Sequence, residues 1–111
     1  MNTFWIDGPE GELAVEAVGW TGTPLLLLHG LGGNASHWNA VSQRLRPHRV
    51  LTIDLRGHGR TKTRPGAPMD PASLANDVVA VAEATHLDRF LLGAHSFGGA
   101  VAIETAALVP D

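Results

Sequence analysis

LLGAHSFGGAVA (Leu91–Ala102) decides how the rest of the chain is read. A short apolar run stops at Ser96 among small residues and then turns helical, from about Gly98 to Leu108, ending before Pro110. A strand that enters a helix through a single residue forces that residue into a strained, positive-φ turn. The positions two before and two after must then be small, so that strand and helix can approach. Ala94 and Gly98 occupy them, and Gly99 is expected to let the helix pack tightly. A serine in that place has the free N–H groups and the positive dipole end of the helix beside it, where an oxyanion would form. A plain helix N-cap is the other reading of the same serine.

Working outward, Thr3–Ile6 and Glu12–Val18 alternate apolar and polar residues around Gly8-Pro9-Glu10-Gly11, which predicts an antiparallel hairpin. Leu25–Leu28 is uniformly aliphatic, as expected of a strand buried on both faces. Trp38, Val41 and Leu45 recur at helical spacing, with Ser36 as the expected N-cap. Arg49–Asp54 reads as a second buried strand. Asp70-Pro71 reads as a cap followed by an N1 proline, opening a helix whose apolar face is Leu74, Val78, Val81 and Ala82. Arg89–Leu92 reads as a third buried strand. The order is a hairpin and then parallel β-α-β-α-β-α, an α/β architecture with its sheet covered on both faces.

Composition narrows the function classes. With 111 residues, 44% hydrophobic and 17% charged, the chain is globular, and a formal charge of -3 gives no case for nucleic acid or an anionic membrane as partner. It has no cysteine, hence no disulfide or thiolate chemistry. MNTFWIDGPEGE is acidic where a signal peptide is positive, and the longest aliphatic run is far too short to span a bilayer. A soluble, cytoplasmic protein is expected.

In such a sheet the loops after the strand C-termini share one edge, where ligands bind. Three meet there: His29–Gly33 (HGLGG), Asp54–Thr61 (DLRGHGRT) and Ala94–Gly99 (AHSFGG). The first presents backbone N–H groups, so that the amides of Leu31 and Phe97 form a candidate two-donor oxyanion hole. An ordinary tight turn is its plainer reading. In the second, Asp54 and Arg56 are expected to pair and brace the loop, a structural role.

These three motifs, in this order and spacing, resemble the N-terminal half of an α/β-hydrolase fold enzyme of the serine-nucleophile branch. The resemblance covers essentially the whole chain. It implies that residues 1–111 are the N-terminal part of a single α/β-hydrolase domain, ending after the helix of the nucleophile elbow, with a partial α/β-hydrolase sheet whose later strands are absent. It implies Ser96 as nucleophile, the amides of Leu31 and Phe97 as oxyanion hole, and His29, Gly30, Gly32 and Gly33 as residues shaping it. Asp54, Arg56, Gly57 and Gly59 match the largely structural loop. His95 lies beside the nucleophile and is not expected to be the base. Ala94 departs from the usual glycine by one methyl, which is expected to tighten the elbow. The reaction implied is hydrolysis of a small ester-like substrate, or a related acyl or C–C bond, through an acyl-enzyme, without metal or organic cofactor.

In that family the triad runs serine, acid, histidine. Here all six histidines precede Ser96, and only Glu104 and Asp111 are acidic after it. The chain alone is therefore expected to lack triad acid and base and to be inactive, at a cost of about a million-fold in turnover. His29 and His58 remain as substitute bases. The strand Arg89–Leu92 is expected to be an exposed edge, prone to association. Two rival readings stand beside this one. Gly30-Leu31-Gly32-Gly33-Asn34-Ala35 fits a dinucleotide fingerprint, with Asp54 at the place of a ribose-binding acid. A non-catalytic binding module using the same cleft is the other.

Overall fold

Alternating apolar and polar residues fold the start of the chain into the expected hairpin, β1 (Asn2–Gly8) and β2 (Gly11–Val18), with Gly8 facing Gly11 across the turn. The computed structural model describes residues 2–109, so the expected helix stop at Pro110 and the acid Asp111 lie outside the described residues. β3 (Thr21–Leu28) follows, then a 3-10 turn (Ala35–Trp38), α1 (Asn39–Arg44), β4 (His48–Ile53), α2 (Pro71–Ala84), β5 (Leu91–Ala94) and α3 (Phe97–Leu108). The strands form one sheet in the order β1-β2-β4-β3-β5, with β3 parallel to both β4 and β5 and β2 antiparallel to β4.

Pairing register explains both the burial and two shifted boundaries. Leu26 lies opposite Leu51 and Leu28 opposite Ile53, so these four share one face of the sheet. With Leu13 and Val15 of β2, they pack against Leu74, Val78 and Val81 of α2 and Val101 of α3. Leu27, Val50 and Thr52 alternate with them and are buried as well, so both faces of the central strands are covered. β3 begins at Thr21 rather than Leu25, because Thr21 already pairs with His48 before the register shifts. β5 is Leu91–Ala94 and not Arg89–Leu92, since its pairing with β3 starts at Leu91 opposite Leu25. Asp88 and Arg89 form a bend, and Phe90 packs against the core. Among the described strands β5 pairs with β3 alone, and Leu91 is 56% exposed, so the exposed edge is present two residues later than expected.

The helices follow local chemistry. The Asp70 side chain accepts from Ser73 N at 3.1 Å, with Pro71 in the first turn, as the sequence predicts. These bonds to Ser73 hold the Asp70 carboxyl below its ordinary value. The far end of α2 closes through His86 at φ 58°, with Leu87 N donating to Ala82 O and His86 N to Glu83 O. The expected helix around Trp38 is shorter. Its cap is Asn34 rather than Ser36, the Asn34 side chain accepting from Ser36 N. Its apolar stripe stays largely uncovered, Val41 and Leu45 both being exposed. Among the described residues no helix is long and apolar enough to cross a membrane.

Leu51 sits in the centre of the sheet with no exposed surface. Leu51→Ala is expected to lower the unfolding free energy by about 2–5 kcal/mol, seen as a fall in urea midpoint at unchanged slope.

Candidate active site

β3, β4 and β5 deliver three loops to one edge of the sheet. Ser96 joins β5 to α3 at φ 54° and ψ −118°, a conformation that costs a non-glycine residue about 1–3 kcal/mol. Its side chain makes no capping hydrogen bond and is exposed, which removes the plain N-cap reading. Gly98 is the residue that permits the turn. A Cβ there would lie 2.6 Å from both Leu28 O and His29 O, so α3 meets the end of β3 backbone to backbone. Gly99 does not share this role: a Cβ on it meets nothing within 4 Å, because it faces away from the contact. Ala94, the last residue of β5, is exposed.

The His29–Gly33 loop lies against that turn. A Cβ on Gly30 would stand 3.1 Å from His95 Nδ1 and 3.4 Å from Ser96 Cβ. Gly33 N donates to Gly30 O, closing a tight turn with Gly32 at φ 79°. Gly30, Leu31, Gly32, Gly33, His37, His95 and Ser96 line one shallow pocket of about 190 Å³. Next to it Trp38, Val41, His37, His95, His29 and Gly30 line a cleft of about 300 Å³. Leu31 is 72% exposed, and among the described residues neither its amide nor that of Phe97 makes a hydrogen bond.

The third loop is built from acceptors for backbone amides. Asp54 takes Ala35 N at 2.7 Å on one carboxylate oxygen and Arg60 N at 2.9 Å on the other. Gly59 is obligatory beside it, since a Cβ would come within 2.5 Å of that carboxylate. Gly57, at φ 78°, donates its N–H to Thr63 Oγ1. The expected Asp54–Arg56 pair does not form. Arg56 points the other way and grips Asp77 of α2 through Nε (3.0 Å) and a terminal nitrogen (2.8 Å), donating also to Pro68 O and Ser73 O. Burial raises the Asp77 carboxyl above its ordinary value, and the Arg56 hydrogen bonds pull it back. Asp77 was not singled out from the sequence, although an acid beside Leu74, Val78 and Val81 on a buried helix face is the signal of such a partner.

Two imidazoles join the first and third loops. Buried His29 accepts Leu55 N on Nε2 at 2.9 Å and donates from Nδ1 to Gly30 O at 2.7 Å. His58 accepts Gly32 N on Nε2 at 2.9 Å and donates from Nδ1 to Arg56 O at 3.0 Å. Because an amide can only donate, each ring is neutral and carries its proton on Nδ1. Their centroids are 4.9 Å apart. Neither ring has a lone pair left with which to deprotonate Ser96, so neither serves as a substitute base. Burial is the main cause holding His29 below its ordinary value, with the Gly30 hydrogen bond opposing it. The dinucleotide reading also fails here. Both Asp54 oxygens are engaged by the chain's own amides, and a 3-10 turn, not a helix N-terminus, follows the glycines.

A sequence profile of the alpha/beta hydrolase family matches residues 25–110. Protein phosphatase methylesterase 1 of Bos taurus is 42% identical over 102 residues, covering 84% of this chain and 27% of that protein. The sn-1-specific diacylglycerol lipase ABHD11 of Danio rerio is 35% identical over 92 residues, covering 80% and 28%. The chain therefore spans little more than a quarter of the length of these relatives. Among solved structures, a thermophilic esterase from Thermogutta terrifontis superposes with a TM-score of 0.88 at 32% identity, over 100% of this chain and 42% of that one.

Two outcomes are expected at this edge. Gly98→Ala should force α3 away from β3 and destabilise the fold by about 1–3 kcal/mol, measured by urea unfolding. Because folding depresses the His29 value, the unfolded chain takes up a proton that the folded one refuses. The stability this group contributes is full above about pH 6.5 and is lost as pH falls through the folded-state value. Urea midpoints recorded downward from neutrality should follow that decline.

Proposed function

The chain belongs to the alpha/beta hydrolase family, and from that footing we propose that it carries the nucleophile and oxyanion hole of a serine hydrolase acting on carboxylic esters. The single observation behind this reading is the positive-φ serine between strand and helix, pressed against a glycine-rich loop with an unengaged amide. In this reading Ser96 Oγ attacks the substrate carbonyl, and the oxyanion that develops is held by the N–H groups of Leu31 and Phe97. Collapse expels the alcohol and leaves an acyl-enzyme, which water hydrolyses. The Trp38–Val41 cleft beside the serine receives the apolar part of the ester. The named activities of the relatives, a methylesterase, a diacylglycerol lipase and an esterase, support an ester over other acyl compounds.

A proton acceptor for Ser96 follows the nucleophile in the triad order of this fold, and no histidine follows Ser96 here. The 111-residue chain by itself is thus proposed to bind and to be acylated slowly, without efficient turnover. A cysteine-free chain is compatible with the cytoplasm, where we place it.

Prolonged incubation with a fluorophosphonate, followed by peptide mapping, tests the assignment. One adduct on Ser96, absent from Ser96→Ala, is the expected result. A folded chain that remains unlabelled, yet whose binding of an ester analogue is blocked by Ser96→Trp, would instead make the cleft a non-catalytic binding site.

A further inference from the structure

Leu31 lies between two peptide planes, and each is pinned by a different imidazole. The Gly30 carbonyl, which shares its plane with the Leu31 N–H, accepts from His29 Nδ1 and from Gly33 N. The next plane carries the Gly32 N–H, which His58 Nε2 accepts. The attachments cross. His29 begins the first loop and reaches Leu55 in the third, while His58 belongs to the third and reaches Gly32 in the first. With both neighbouring planes fixed, the residue between them has no freedom left to rotate its amide.

We propose that His58 is a positioning residue for the oxyanion hole, holding the Leu31–Gly32 peptide so that the Leu31 amide keeps its direction. The inference rests on the reading of that amide as an oxyanion donor. His58 touches neither the carbonyl nor Ser96; it acts through the Gly32 N–H. The bond requires an unprotonated Nε2, so a proton on His58 removes the acceptor and releases the plane. His58, Asp54 at the end of β4 and His37 from the 3-10 turn act on His29, and His95 lines the same pocket as Gly32. The Asp54 carboxylate is engaged by Ala35 and Arg60, and the Arg56 guanidinium is turned away toward Asp77. A proton on His29 Nε2 breaks only the bond from Leu55 N and leaves the Gly30 carbonyl held by Nδ1–H, so of the two rings only His58 frees a plane beside Leu31 when it is protonated.

Nuclear magnetic resonance on the chain tests this without any chemistry at Ser96. The measurements are the hydrogen-exchange protection factor of the Gly32 amide, and the residual dipolar coupling of the Leu31 N–H, which reports its direction. In the unsubstituted chain, Gly32 protection should fall roughly tenfold as pH drops and His58, followed by its own ring signals, takes up a proton. His58→Ala should give the same loss at neutral pH and change the Leu31 coupling. His58→Gln, whose side-chain oxygen reaches about as far as Nε2 and does not titrate, should restore the coupling and abolish the pH dependence of protection. An unchanged Leu31 coupling in a folded His58→Ala chain overturns the proposal. If that variant does not fold, Gly32 protection that ignores His58 protonation in the unsubstituted chain overturns it equally. A Leu31 amide that turns with His58 while fluorophosphonate spares Ser96 would keep the positioning role and reject the serine as nucleophile.

Discussion

At Gly98 the first turn of α3 rests on the last carbonyls of β3 with no room for a side chain between them. That contact sets the distance between the two central elements of the edge, and the other loops take their places from it. β5 ends two residues before Ser96, Ser96 bridges the gap with a backbone that L residues avoid, and Gly30 runs close against His95 and Ser96. The strain at Ser96 persists because both of its ends are held independently, β5 by pairing with β3 and α3 by packing on α2 and the sheet. A strained residue between two fixed elements cannot relax into a cap, and its hydroxyl remains directed outward.

The remaining loops have no ladder of their own, and they solve that problem with side chains standing in for carbonyls. Asp54, His29, His58, Thr61 and Thr63 each accept a backbone N–H from a residue distant in sequence or across a turn. Thr61 takes Ala14 N and donates its own hydroxyl proton to Asp54 O, fastening the loop to β2 as well. The Arg56–Asp77 pair fastens it to α2 in a setting where both side chains are almost fully buried. The two charges answer each other, and two main-chain carbonyls accept further guanidinium protons of Arg56, a setting in which a buried ion pair is tolerated. The start of this polar stretch, Asp54 and Arg56, is thus buried and engaged inward, while Arg60 and Lys62 remain exposed.

The sheet, the hairpin, the α2 cap and the Ser96 turn were legible because each rests on a local rule: period-two alternation, an unbroken aliphatic run, an Asp-Pro start, small residues around one serine. What was misread depends on direction. Nothing in DLRGHGRT says that Arg56 turns toward α2 while Asp54 faces the first loop, since neighbouring residues of irregular backbone have no fixed period. The cap is Asn34, two positions before Ser36, in a turn whose Ala35 N is held by Asp54. Gly98 and Gly99 are both expected to face the sheet, yet only Gly98 does. From sequence alone His29 and His58 read as candidate bases. Their use as paired acceptors of main-chain amides becomes visible only when two loops far apart in sequence are brought together.

The strand order has a consequence for how the chain is made. β3 lies between β4 and β5, both of which are synthesised after it. While a ribosome extends the chain, Leu25–Leu28 therefore has neither neighbour until Val50–Ile53 appears, and it keeps one open side until Leu91–Ala94 follows. Only the hairpin can close promptly, and parallel pairing across such separations is slow because the loop entropy comes first. For that interval an unbroken aliphatic strand without a gatekeeping charge is presented to every other nascent chain nearby. The same four leucines that anchor the finished sheet thus make the unfinished one a natural client for chaperones that bind extended apolar segments.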